Sequence, residues 1–126
     1  MYQDNEQSVE QWSEERAIFA CDIAKHLHSL SSHAQKATPN ELNCLLVTAQ
    51  NAFPKFYANI TDASKGLSHT EIIISILIRF RFIPSEISLL LGLSSQRITN
   101  LKSSVNQKLF GTQGAKTLYS HLMSLK

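Results

Sequence analysis

Apolar positions recur at three- and four-residue steps along most of the chain, the period of an amphipathic helix. Val9, Trp12, Phe19, Ile23 and Leu30 follow this period through a stretch without Pro or Gly, which predicts one long helix from about Glu6 to Leu30. Arg16 and His26 fall on the same heptad seam, so the coiled-coil pattern is imperfect. Two roles stay open for this helix: pairing with a second copy, or packing on its own domain. The polar run Ser31 to Thr38 ends it.

Thr38-Pro39-Asn40-Glu41 opens a second helix, with a Thr cap, Pro at the first position and Glu three residues after the cap. Leu42, Leu45, Leu46, Ala49, Phe53, Phe56 and Ile60 continue it at helical spacing. Pro54 lies inside that run and should kink the helix near Gln50, with Lys65-Gly66 ending it. Ser68-His69-Thr70-Glu71 repeats the capping-box signature, and Leu67 is placed as its hydrophobic staple. Ile72 to Phe82 is apolar on nearly every side, as in a helix buried at the centre of a small bundle. No stretch alternates with period two, so the fold class is all-α.

Residues 84–109 carry a more specific pattern. Pro84 opens a short helix through Leu91, Gly92 and Leu93 make a tight turn, and Ser94-Ser95 cap a helix from Gln96 to Leu109. Helix, Gly-containing turn, helix is the spacing of a helix-turn-helix. Ser88 is small where the two helices must touch, and Gly92 tolerates positive φ. Ile87 and Leu91 on the first helix, and Ile98, Leu101 and Val105 on the second, are placed to point inward. Leu93 plugs the corner.

Charge changes the picture at this point. Residues 1–66 hold five bases and eight acids, whereas residues 67–126 hold seven bases and two acids, Glu71 and Glu86. The halves therefore carry −3 and +5, and no acid follows Arg97. A basic second half suits a polyanionic partner.

Residues 67–110 resemble the LuxR-type (GerE-like) DNA-binding domain of bacterial transcription regulators, in particular a variant of Bacteroides-type bacteria. The likeness rests on Leu67-Ser68-x-x-Glu71, on Leu77-Ile78-Arg79-x-x-Phe82-x-Pro84-Ser85-Glu86-Ile87-Ser88-x-Leu90-Leu91-Gly92-Leu93-Ser94, and on Ile98 with Lys108-Leu109-Phe110-Gly111. Phe53-Pro54-x-Phe56 is similar to the helix preceding the domain in that variant. The likeness covers roughly half the chain well and residues 1–40 hardly at all. It implies that the helix at about 95–109 lies in the major groove, most effectively in a homodimer. It places base reading on Thr99, Asn100 and Ser103, flanked by Ser95, Gln96 and Arg97. Asn100 and Gln96 suit adenine, and Arg97 suits guanine. Ser68, Thr70, Ser94, Lys102 and Lys108 are placed for phosphates. Two departures stand out: the reading helix carries fewer bases than is usual, and the family's common Gly between its first two helices is replaced by Arg81 or Phe82.

The expected organisation is a helical dimerisation or connector region over 1–66 and a helix-turn-helix module over 67–126. The module ends in an extra helix marked by Leu118, Leu122 and Leu125, which either packs on the domain or pairs copies. The expected partners are double-stranded DNA and a second copy. The alternative is a protein-interaction module whose motif contacts a sigma factor, RNA polymerase or a partner regulator. Other classes lack their residues. The polar start is not a secretory signal, and the apolar run at 72–83 is shorter than the roughly 20 residues a membrane span needs. A cytoplasmic location is expected, and two cysteines make no disulfide scaffold. His26, His28 and His33 near Cys21 lack convergent zinc spacing, so no metal is expected. No catalytic constellation or cofactor loop is present, so no enzyme activity is expected either.

Overall fold

The computed structural model describes residues 22–125, and every regular element among them is helical. The helices are α1 (Asp22–Ser32), α2 (Pro39–Ala52), α3 (Pro54–Ile60), α4 (His69–Arg79), α5 (Pro84–Leu91), α6 (Ser95–Phe110) and α7 (Leu118–Ser124). The long first helix expected from Glu6 lies outside the described residues up to residue 21.

Both capping boxes form as read. Thr38 accepts from the Glu41 amide at 3.2 Å while Glu41 accepts from the Thr38 amide at 2.7 Å. Ser68 and Glu71 do the same at 3.2 and 2.8 Å. Pro54 does not kink a continuous helix near Gln50. It breaks the helix at Phe53, whose φ of −134° and ψ of 68° reflect the exclusion of helical geometry before proline. The second segment stops at Ile60, short of Lys65. A 3-10 turn over Ala63–Lys65 follows, capped by Asp62, and Gly66 closes it at φ 71°.

The apolar run likewise ends at Arg79, short of Phe82. Phe82 donates its amide to Leu77 at 2.9 Å, and Arg81 between them takes φ 71°. Helices α1 and α5 end in the same six-to-one hydrogen bond, over left-handed Ala34 at φ 55° and Gly92 at φ 67°. Gln35 donates to Leu30 across Ala34 and Leu93 donates to Ser88 across Gly92, whereas α6 ends at left-handed Gly111 with the Gly111 amide on Gln107 and the Thr112 amide on Asn106. At the end of α4 the left-handed residue is Arg81, where a non-glycine residue costs about 1–2 kcal/mol.

Helix α4 is central. It touches α2, α3, α6 and α7, and Ile74, Ile76 and Leu77 are fully buried. Helix α5 is held between α1 and α6. A single hydrophobic cluster joins Ile23 and Leu27 of α1 to Leu45 and Phe56, to α4, and to Ile98 and Val105 of α6. The cluster runs straight across the boundary expected at 66/67. Within residues 22–32 the apolar face packs on the chain's own core, with Ile23, Ala24 and Leu27 buried. Helix α7 packs on α4 and α6 with Leu118 and Leu122 fully buried. Asn106 anchors it, donating to Gly114 at 2.9 Å and Thr117 at 3.1 Å, with His121 at 3.0 Å from its carbonyl.

Two charged side chains lie inside. The Arg79 guanidinium sits 4.2 Å from the Phe53 ring centroid. Glu71 is buried, and its Oε1 accepts from Lys108 Nζ at 2.7 Å and from the Ser68 amide at 2.8 Å. Burial raises the Glu71 pKa, but hydrogen bonds from Lys108, Ser104 and Ser68 outweigh it and hold the carboxyl below its ordinary 4.5. A lowered carboxyl pKa means stability that is complete above about pH 4.5 and lost as pH falls through the folded-state value. Glu71→Gln and Lys108→Ala should each cost about 1–3 kcal/mol near neutral pH. Thermal melts should show a fall of about 4–8 °C per kcal/mol. Glu71→Gln should also flatten the acid limb of the stability curve below pH 4.5.

Candidate nucleic-acid interface

The motif is built from its ends inward. Pro84 starts α5, and Glu86 reaches back to accept from the Ile83 amide at 3.0 Å. The other Glu86 oxygen lies 3.0 Å from His28 Nδ1 of α1, and the His28 ring stacks on Phe82 at 3.8 Å and 4°. Ala37 donates to Leu90 at 2.9 Å, so the segment after α1 is tied to the far end of α5. The inward residues of α5 are Ile87 and Leu90, while Leu91 is only half-buried. This corrects the expectation for Leu91. A helix packed on both α1 and α6 buries a stripe wider than one heptad face.

The turn follows the sequence reading. Gly92 has φ 67°, the Ser88 hydroxyl donates to the Leu93 carbonyl, and Leu93 packs partly buried on the core. Ser94 caps α6 by accepting from Arg97 N at 3.1 Å. Ile98, Leu101 and Val105 are buried, which turns the opposite face outward.

On that face Ser95, Gln96, Arg97, Thr99 and Asn100 are exposed, and Ser103 and Lys102 are half-buried. Five of the six side chains expected to read bases are therefore exposed at the start of α6, and Ser103 lies half-buried farther along the helix. Gln96 Nε2 donates to Asn100 Oδ1 at 3.0 Å, so these two amides are already paired. An adenine approaching Asn100 has to displace or share that bond. Gln96 and Asn100 thus act as one unit.

The five residues expected on phosphates do not gather. Ser94 sits at the start of α6, and Lys102 lies farther along the same helix. Ser68 and Thr70 sit at the start of α4, where the Ser68 oxygen already accepts from Glu71. Lys108 has its ammonium on Glu71 and on the Gly66 carbonyl at 3.0 Å. A phosphate could take Lys108 only by breaking the pair that keeps a buried carboxylate satisfied.

Two cations beside the motif escaped the sequence reading. Lys36 is exposed and lies along the turn, so close that a Cβ on Gly92 would come within 3.1 Å of its Cδ. Only the docking of residues 33–37 on α5 places it there, and no local pattern signals that. Arg81 is exposed and shares with Lys102 a groove of about 410 Å³ walled by Ile83, Pro84 and Tyr119. Arg81 or Phe82 marks a departure from the family that the sequence resembles, but the sequence neither chooses between them nor gives either a role.

Among the described residues no helix is long and apolar enough to cross a membrane, and no group of His, Cys, Asp or Glu is placed to hold a metal. Comparison with known proteins finds no matching family model, no matching curated protein and no matching solved structure.

The turn offers a direct check. Gly92→Ala should lower stability by about 1–2 kcal/mol, because Cβ is strained at φ 67° and presses on Lys36. A denaturant series should show the lower midpoint with the slope unchanged.

Proposed function

We propose that this chain is a DNA-binding transcription regulator, acting in the cytoplasm, that lays α6 in the major groove with α5 across the phosphate backbone. One observation carries the reading: a continuous exposed face of Ser95, Gln96, Arg97, Thr99 and Asn100, held outward by buried Ile98, Leu101 and Val105. Amides, hydroxyls and one guanidinium are the groups that pair with base edges. The charge pattern agrees, since no acid follows Glu86 in the sequence. With only a few cations at the surface of one motif, useful affinity calls for two copies on two half-sites.

A second reading, a module docking a protein such as a sigma factor, RNA polymerase or a partner regulator, is favoured by a different observation. The groove beside Lys102 is largely apolar, and Ile83 and Tyr119 on its walls are about half exposed, at 57% and 49%.

Fluorescence anisotropy with a labelled mixed-sequence duplex at low and near-physiological salt separates the two. DNA binding predicts affinity that falls with salt, with a log–log slope of about −0.9 per phosphate contact. Lys102→Ala should weaken all sequences alike and reduce the slope by about one contact. Asn100→Ala should cost about 1–3 kcal/mol on a selected site and far less on random duplex. Unchanged binding in both variants overturns this docking mode. No binding at low salt overturns the DNA reading in favour of the protein partner.

A further inference from the structure

We infer that Lys36 is a backbone-phosphate contact of the helix-turn-helix, delivered to its turn by the first half of the chain; the inference rests on the DNA-binding reading above. Lys36 belongs to the polar link between α1 and α2, and nothing in its local sequence ties it to the motif. Tertiary docking does. The Ala37 amide donates to the Leu90 carbonyl at 2.9 Å, and the Ala37 side chain is buried. The residue before it is thereby held at the end of α5. The Lys36 stem then lies across the turn: its Cδ and Cε are 3.1 Å, and its Nζ 3.3 Å, from the place that a Cβ on Gly92 would occupy. Glycine at 92 thus serves twice. It takes φ 67° without strain, and it leaves bare backbone for a lysine stem to rest on.

The charge at the end of that stem is available. Lys36 is exposed, and its ammonium has no hydrogen bond or ion pair among the described residues. Two nearby acids are engaged elsewhere. Glu41, five residues on, accepts from the Thr38 amide and pairs with His26. Glu86, at the opposite end of α5, accepts from the Ile83 amide and pairs with His28. In the proposed docking α5 crosses the phosphate backbone and the first turn of α6 meets base edges, so the turn between them runs beside a phosphate strand. A lysine laid across that turn presents a point charge to it. Because the stem already rests on the turn, less side-chain freedom is lost on binding than for a lysine standing free in solvent. Contacts of this type set register and orientation without reading sequence. The competing role for a cation at this place is to stabilise the carbonyl end of α5 through the helix dipole.

The test uses the full chain and the same labelled mixed-sequence duplex over a salt series, with melts run in parallel. Lys36→Met keeps an apolar stem against Gly92 and removes the charge. This variant should bind all duplexes about fivefold more weakly, the factor for roughly 1 kcal/mol of exposed ionic contact. Its salt slope should fall in magnitude by about 0.9. Lys36→Arg should keep both quantities near wild type, and Lys55→Met, exposed on α3, should change neither. Wild-type affinity and slope in Lys36→Met overturn the inference while leaving DNA binding standing. Weaker binding at an unchanged slope, with a lower Tm, also overturns it, in favour of a lysine that only supports α5. Absence of binding by the wild-type chain overturns the function itself, and is read before any variant.

Discussion

The carboxylate of Glu71 fixes where the two principal helices meet. Its Oε1 accepts from the amide that starts α4 and from the lysine that ends α6, and Lys108 in turn holds the Gly66 carbonyl. A carboxylate taken out of water costs several kcal/mol unless its lone pairs are met, so these donors are conditions for folding rather than additions to it. The consequence reaches the far end of α6. A 16-residue helix pinned near its last turn and packed through Ile98, Leu101 and Val105 has little freedom at its first turn, where the polar face lies.

The motif is also braced from outside. Helix α1 grips the start of α5 through the His28 stack on Phe82 and the Glu86 bond, and residue 37 grips its end through Leu90. Residues 22–66 therefore do not form a connector beside an independent module. They supply one wall of the motif's own core. In the proposed docking the side chains of α6 would have to be held within about half an ångström of productive geometry, and support on both sides of α5 would serve that need.

What the sequence made legible was local. Capping boxes at Thr38 and Ser68, the left-handed glycine at 92 and the inward triplet of α6 are each decided by residues within one or two turns. What it hid was decided at a distance. Leu90 rather than Leu91 is buried because α1 covers a second face of α5, and that docking leaves no trace in a single helix period. The break at Phe53 was half legible: the proline was seen, but the restriction falls on the residue before it and ends the helix outright. Lys108 looked like a surface cation until its partner, 37 residues earlier, came into view. The polar face of α6 was legible residue by residue, but not the Gln96–Asn100 bond across it.

Counting charge along the chain overstated the field that DNA would feel. Of the seven bases in residues 67–126, Arg79 is buried over Phe53 and Lys108 is neutralised by Glu71. Lys126 lies outside the described residues. Arg81, Arg97 and Lys116 are exposed and Lys102 is half-buried. Arg97 and Lys102 lie on α6 itself, and Lys36 joins them from the other half of the chain. The first half thus lends charge to the second, reversing the division that the sequence tally implied. Because exposed charges more than about 10 Å apart are largely screened at 0.1 M salt, it is this local cluster that governs an encounter with a polyanion. The net +5 of the half-chain does not.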